Sequence, residues 1–88
     1  MNKKPPTIIY DDREKLPWLV AGFQMERKRL TFGDYTIKGM EDVCRIERKA
    51  SWEEIASNLS TAKGRHNLGL CVINLSEVKG VKAIFVED

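Results

Sequence analysis

The run GDYTIKGMEDVCRIERKA, residues 33–50, restricts the fold more than any other part of the chain. Two β-rich stretches, YTIKG and VCRIERKA, flank a turn that begins at a glycine, and this pattern predicts a β-hairpin. Successive side chains of a strand point to opposite faces of the sheet. Cys44 and Ile46 therefore share one face of the second strand, and Glu47 and Lys49 share the other. The hairpin combines an apolar face with a face that presents an acid and a base.

Further strands and two helices are predicted around this hairpin. The stretch LPWLVAG predicts either one helical turn or a loop, because a proline opens it and a glycine ends it. Ser51 followed by Glu54 forms a capping box that begins a helix, and the segment AKGR is expected to break that helix. The remaining predicted elements are strands at 7–10, 23–30, 35–39, 43–50 and 81–86 and a second helix at 66–78. This order predicts an α/β domain in which a mixed sheet is covered by helices.

The predicted helix at 66–78 carries apolar side chains on two sides. Its apolar residues are Leu68, Cys71, Val72, Leu75 and Val78 on one side, with Leu70 and Ile73 on a second. A helix of this kind is either deeply buried or covered by something outside the chain. The sheet of a small domain can cover only one of these two sides.

Composition limits the chain to one small globular domain. Its 88 residues are 42% hydrophobic and 32% charged, too apolar for a disordered chain and too interrupted by charge for a membrane span. The opening MNKKPPT lacks the apolar stretch of a secretory signal, so residues 1–6 are expected to form a flexible tail. Cys44 and Cys71 lack Cys-x-x-Cys spacing, which favours a reducing intracellular compartment, the cytoplasm, nucleoid or nucleus, over a zinc site. A net charge of +2 permits a nucleic-acid partner without indicating one.

Asp34 opens the first strand of the hairpin, and Glu47 lies in the second. Two carboxylates held close together raise each other's pKa unless a cation lies between them, and Mg²⁺ suits such a pair because it prefers oxygen ligands. Lys49, on the same face as Glu47, could orient a water molecule or stabilise charge that builds on a phosphate. This set of groups is what phosphodiester hydrolysis requires.

The same three residues also fit a simpler interpretation. Charged residues on a strand face are often just solvated, and a neighbouring Glu and Lys commonly form a surface ion pair that contributes little stability. The pattern D…E-x-K alone leaves both interpretations open.

Several motifs together resemble the nuclease domain of the XPF/Hef family of structure-specific DNA endonucleases. That family has a Gly-Asp pair, then Glu-Arg-Lys, then an acid after three intervening residues. This chain has Gly33-Asp34, ERK at 47–49 and Glu53. The family's first strand ends in V-D-x-R-E, and the corresponding residues here are Tyr10, Asp11, Asp12, Arg13 and Glu14. The stretches SNLSTAKGR and AIFVED resemble the family's helix-to-Gly-Arg segment and its closing strand. The resemblance covers most of residues 7–88.

The resemblance implies a restriction-endonuclease-like fold, with a mixed central sheet flanked by helices, and a Mg²⁺- or Mn²⁺-dependent endonuclease. The implied catalytic residues are Asp34, Glu47 and Lys49, and the implied metal ligands are Asp11, Asp34 and Glu47. Arg48 corresponds to the middle of the motif and is expected to point away from the metal. Residues expected to contact DNA are Arg13, Arg27, Lys28 and Arg65.

Some positions depart from the family. Glu53 stands where the family usually has aspartate, so its direct role stays uncertain. His66-Asn67 follows Gly64-Arg65, where the family tends to have an apolar residue and then a glutamine. No tandem helix-hairpin-helix domain follows, so the 88 residues are either one nuclease domain of a longer protein or a small stand-alone member of the family.

The expected substrate is branched or flapped DNA, including junctions of single and double strands, as in DNA repair or recombination. The resemblance also implies a homodimer or heterodimer, with a two-fold interface formed by the 66–78 helix and the closing strand 81–86. No membrane partner is expected. The alternative to an active enzyme is a DNA-binding or dimerisation module of the same fold that acts with a partner. A third possibility, a β-rich interaction domain unrelated to nucleic acid, predicts that no divalent metal binds.

Overall fold

A computed structural model describes residues 6–87, and the predicted N-terminal tail falls mostly outside this range. The fold is α/β, with a five-stranded mixed sheet and two helices. The elements are β1 Thr7–Asp11, β2 Gln24–Lys28, β3 Tyr35–Ile37, β4 Cys44–Lys49, α1 Trp52–Ser60, α2 Ala62–Ser76 and β5 Val81–Val86. In space the strands follow the order β2-β1-β3-β4-β5. The predicted mixed sheet with helices is confirmed.

The middle of the sheet is antiparallel, and its two edges are parallel. β3 pairs antiparallel with β1 and β4, so the predicted hairpin of β3 and β4 is confirmed. β2 runs parallel to β1, and β5 runs parallel to β4. A parallel pair needs a long crossover connection. The two helices form this connection between β4 and β5, whereas a loop at 12–23 forms it between β1 and β2, in agreement with the loop alternative for LPWLVAG.

The two faces of the sheet are covered differently. Trp18, from the 12–23 loop, stacks on Tyr35 with ring centroids 4.7 Å apart, and its backbone N–H donates to the Tyr35 hydroxyl at 2.9 Å. The loop lies over Cys44 and Ile46, around an apolar groove of about 310 Å³. We call this side the loop-covered face. α2 lies on the opposite, helix-covered face, next to Glu47, so the predicted division of β4 into two faces is confirmed.

The break between the two helices lies at Thr61, and the prediction that AKGR interrupts the helix is wrong. Those four residues form the first turn of α2, because the Thr61 hydroxyl accepts a hydrogen bond from the Gly64 N–H at 2.9 Å and caps the helix. The capping box of α1 is confirmed at Ser51, whose hydroxyl accepts from the Glu54 N–H at 3.2 Å. The Glu54 carboxylate reaches back to the N–H of Ala50.

Much of α2 and β5 stays uncovered within the chain. Leu75 is the one buried residue of α2, whereas Val72 is 49% exposed and Ile73 55% exposed. Phe85, on the edge strand β5, is 56% exposed. An apolar groove between α2 and β5 is lined by Val72, Leu75 and Ile84. Neither α1 nor α2, the helices within residues 6–87, has the length and hydrophobicity to span a membrane.

Gly64 lets α1 and α2 approach closely, and we expect Gly64→Ala to destabilise the fold. A Cβ at this position would overlap the carbonyl oxygen of Asn58, and backbone atoms can move away only if the two helices separate. The expected loss is roughly 1–3 kcal/mol in the free energy of unfolding, measured by urea denaturation.

Gly69→Ala is the matched control for that prediction. Gly69 lies in the same helix, and a Cβ there would meet no atom within 4 Å. Alanine should then stabilise the helix by up to about 1 kcal/mol. Equal losses in the two variants would contradict the role given to Gly64.

Candidate active site

Asp34 is held in place by the strands on both sides of it. Gly33, with φ of +75°, turns the chain into β3. The Asp34 N–H then donates to the Ile46 carbonyl at 2.8 Å, and the Asp34 carbonyl accepts from the Asp11 N–H at 2.8 Å. Its carboxylate Oδ2 accepts from the Arg48 N–H at 2.7 Å. Both the backbone and the side chain of Asp34 are therefore fixed by the sheet.

Glu47 lies on β4 with its carboxyl group within hydrogen-bonding reach of the Asp34 carboxyl group. Burial and the negative charge of Asp34 raise the pKa of Glu47 to about 7. Lys49 opposes this effect, and its Nζ lies 3.8 Å from Glu47 Oε1. The Glu47 and Lys49 side chains are only 16% and 15% exposed. The structure thus brings together the three predicted catalytic residues on the helix-covered side, and they do not form a solvated surface pair.

Glu14 is a third carboxylate beside Asp34 that the sequence analysis did not assign to the site. Burial and the charge of Asp34 raise its pKa, while Arg48, whose Nη1 donates to Glu14 Oε2 at 3.1 Å, acts in the opposite direction. The sequence signal for this role was the position of Glu14 at the end of the acidic DDRE segment. The loop after β1 folds back onto the sheet, and this brings Glu14 next to Asp34.

Asp11 lines the same cleft, but its carboxylate is already engaged by the protein. Oδ2 accepts from Arg13 Nε at 2.6 Å, and Oδ1 accepts from the Leu30 N–H at 2.8 Å. Burial disfavours the charged form of Asp11, yet these hydrogen bonds outweigh it and lower its pKa. In this arrangement Asp11 ties the end of β1 to the segment after β2. Its role as a metal ligand stays a prediction.

The oxygen donors of the cleft fit a hard divalent cation. Within residues 6–87, no three histidine, cysteine, aspartate or glutamate side chains are grouped closely enough to hold one ion. Mg²⁺, however, is usually bound by one or two carboxylates, with water and substrate phosphate completing its coordination. Asp34 and Glu47 supply such a pair. The raised pKa of Glu47 is the behaviour expected of two acids with no cation between them.

One side of α2 forms a wall of the cleft, which has a volume of about 530 Å³. Asn67, Leu70, Cys71 and Asn74 line it from the helix. Burial and the negative charge of the nearby Glu47 carboxylate raise the pKa of Cys71 to about 11. The sequence analysis treated Cys71 as apolar. The spacing of Asn67, Cys71 and Asn74 at i, i+4 and i+7 was the signal that this side of the helix is polar.

The predicted DNA-contacting residues are dispersed. Arg13 lines the cleft, but its guanidinium is hydrogen-bonded to the Asp11 carboxylate. Arg27 and Lys28 are exposed on the edge strand β2, where Arg27 Nη2 donates to the Asp12 carbonyl at 2.7 Å. Arg65 is exposed in the first turn of α2, and its Nη1 donates to the Leu59 carbonyl at 2.9 Å.

Two further residues of the motif lie apart from the carboxylate pair. Arg48 points to the loop-covered face, as expected, and its guanidinium lies 4.7 Å from the Trp18 ring centroid. It also pairs with Glu87. Glu53 is exposed in the first turn of α1 and does not line the cleft. A direct role of Glu53 in the site stays a prediction.

The stability of the metal-free protein should depend on pH through Glu47. Its pKa in the folded state, about 7, lies above the ordinary value of 4.5, so the folded state binds the proton more tightly than the unfolded state does. This contribution to stability is fully present below about pH 4.5 and is lost as pH rises through about 7. As the pH rises through this range, the free energy of unfolding of the wild type, relative to that of Glu47→Gln, should therefore fall by up to about 3 kcal/mol.

Urea denaturation in the presence of a chelator, at several pH values between 4 and 8, measures this difference. Glu53→Gln removes an exposed acid and serves as the control, because its stability should follow that of the wild type. Parallel pH profiles for wild type and Glu47→Gln would show that folding does not raise the pKa of Glu47.

Comparison with known proteins found no matching family model, no matching curated protein and no matching solved structure.

Proposed function

We propose that this chain is a metal-dependent endonuclease domain of restriction-endonuclease-like fold that hydrolyses DNA phosphodiester bonds. The observation that carries the proposal is that Asp34 and Glu47 line one cleft as neighbouring carboxyl groups, with Lys49 Nζ 3.8 Å from Glu47. Two neighbouring carboxyl groups, largely removed from solvent, destabilise each other. A solvated strand face offers no reason for such a pair, whereas a cation site does.

Asp34 and Glu47 are the residues that would hold Mg²⁺ or Mn²⁺. Glu14 extends the row of oxygen donors, because it lies beside Asp34. A divalent cation bound there neutralises phosphate charge and makes water a better nucleophile. The protein groups contribute a fixed orientation: the Arg48 N–H holds Asp34 and the Arg48 guanidinium holds Glu14. Neither acid then has to reorganise when substrate binds.

Lys49 has the role of stabilising charge. Its ammonium group lies next to Glu47 and is largely shielded from water, where a positive charge acts more strongly on a phosphate than it would on an open surface. It can stabilise the negative charge that develops on the phosphoryl oxygens, or orient the attacking water. Because it is a neighbour of the carboxylates and not an oxygen donor, it contributes to the chemical step and not to cation binding.

The proposed substrate is branched or flapped DNA, processed inside the cell during repair or recombination. The basis is the resemblance of the ordered motifs to the XPF/Hef nuclease domain. Exposed basic residues on β2 and α2, namely Arg27, Lys28 and Arg65, could contact backbone phosphates beside the cleft.

A DNA-binding or dimerisation module is the second candidate, and the exposed apolar surface of α2 and β5 favours it. A homodimer or a heterodimer with a chain of the same fold would cover Val72 and Ile84. The two candidates are compatible, because the carboxylate cleft lies on another side of α2. Leu70 belongs to the cleft side and is therefore left out of the proposed interface.

Calorimetric titration with Mn²⁺ tests the metal site, followed by cleavage assays on flap DNA. We expect one site in the wild type and at least a tenfold loss of affinity in Asp34→Asn, with the fold retained because the substitution removes repulsion from Glu47. Asp42→Asn, an exposed acid of the hairpin turn, is the control. Wild-type affinity in the Asp34 variant would remove this residue from the site.

Lys49→Ala should lower the cleavage rate by about 10²–10³-fold, because it removes a charge that acts on the transition state. Its Mn²⁺ affinity should be nearly unchanged. Lys38→Ala, an exposed lysine whose side chain pairs with Glu26, is the control and should cleave at the wild-type rate. Full cleavage by Lys49→Ala would make Lys49 an ordinary partner of Glu47.

Val72→Asp tests the interface. A charge at a two-fold interface acts twice. The dissociation constant of the dimer, measured by analytical ultracentrifugation, should therefore be at least about tenfold higher than for wild type. Lys63→Asp, exposed at the start of α2, is the control. A wild type that stays monomeric at high micromolar concentration would rule out self-association through this surface.

A further inference from the structure

A second cavity adjoins the carboxylate cleft and contains a buried arginine. It has a volume of about 490 Å³, and we call it the Arg45 cavity. Arg45, Glu41, Asp42, Asn74, Glu77 and Lys79 contribute its polar lining, and Phe32 part of its apolar lining. Phe32 and Asn74 line the carboxylate cleft as well, so they stand between the two cavities.

Arg45 is only 9% exposed, and its charge is not paired with a carboxylate. None of the ion pairs among residues 6–87 involves it. Nε donates to the Glu41 carbonyl at 2.9 Å and Nη1 to the Phe32 carbonyl at 3.0 Å, and the guanidinium lies 4.4 Å from the Phe32 ring centroid. No described residue accepts from Nη2, and no nitrogen of Arg45 is both unpaired and shut off from solvent, so Nη2 opens into the cavity. The protein holds two nitrogens of the guanidinium and leaves this donor available to a ligand in the cavity.

The charges of the cavity decide which chemical class of ligand fits. Two cations, Arg45 and Lys79, face three carboxylates, Glu41, Asp42 and Glu77, so a phosphate group would meet net negative charge. A nucleobase is uncharged and has both hydrogen-bond donors and acceptors on its edge. Arg45 Nη2 supplies a donor, the carboxylates supply acceptors, and the Asn74 amide supplies both. Phe32 supplies an aromatic ring, as proteins that bind extruded bases commonly do.

The position of the cavity matches that ligand. Arg45 and Glu47 lie two residues apart on the same face of β4, which is roughly 7 Å along the strand. Stacked nucleotides rise by about 3.4 Å each. A phosphate at Asp34 and Glu47 would therefore place the base one or two nucleotides away within reach of the Arg45 cavity.

We propose that the Arg45 cavity receives one unpaired nucleobase of the DNA strand whose phosphate lies at the carboxylates. This inference rests on the proposed nuclease function and deepens it, since it makes the chain select DNA with an unpaired base near the cut. Branched and flapped DNA contain such bases, whereas in an intact duplex the base must first be extruded at an energetic cost.

The test is an abasic scan of a flap oligonucleotide. Binding is measured by fluorescence anisotropy with Mg²⁺ and the Lys49→Ala protein, so that cleavage is suppressed. One abasic position within two nucleotides of the cut should weaken binding about tenfold, the size of one base-aromatic stacking contact. Adding Phe32→Leu, or Asn74→Ala as an independent second variant, should abolish that dependence. Phe23→Leu, an exposed phenylalanine on the loop-covered face, should leave it intact.

The outcomes separate this inference from the proposed function. In one outcome, wild type cleaves flap DNA, but an abasic position weakens binding equally with and without Phe32→Leu or Asn74→Ala. The proposed nuclease function then stands, and the proposed base site is wrong. If wild type neither binds nor cleaves DNA, both are wrong. Thermal unfolding of each variant verifies that loss of binding is not loss of fold.

Discussion

Arg48 connects the two faces of the sheet, and the geometry of the carboxylates depends on it. Its backbone N–H holds the Asp34 carboxylate, while its guanidinium, on the loop-covered face, donates to Glu14 at 3.1 Å and to the Leu16 carbonyl at 2.6 Å. The same guanidinium stacks on Trp18. The loop that contains Glu14, Leu16 and Trp18 has no helix of its own. Together with the stacking of Trp18 on Tyr35, these contacts of Arg48 hold the loop on the sheet, and with it the third acid beside Asp34.

Local patterns predicted the elements well because the physical causes are local. The strand at 81–86 agrees with the structure at both ends, and the predicted 43–50 strand is β4 with one residue fewer at each end. Alternation along these runs determines which side chains share a face, and so it placed Glu47 and Lys49 together. AKGR was misjudged because a threonine hydroxyl at its start outweighs the low helix propensity of one glycine.

The parts of the site that sequence reasoning missed depend on contacts between distant segments. Glu14 reaches Asp34 only because the 12–23 loop folds back, and Cys71 reaches Glu47 only because α2 lies across the sheet. No periodicity within either segment contains that information. Arg45 is a further case. The alternation along β4 puts it on the same face as Glu47, but its contact with the Phe32 ring joins two separate segments of the chain.

The parallel pairing of β4 with β5 separates the two parts of the cleft by the length of chain that each has to close. Asp34 and Glu47 meet within one hairpin, so their proximity closes a short loop. The pairing of Cys44 with Val81 closes a longer loop that contains both helices, and longer closures cost more entropy and slow folding. The carboxylate pair therefore depends on contacts that are local in the chain, whereas the wall that α2 adds to the cleft depends on distant ones.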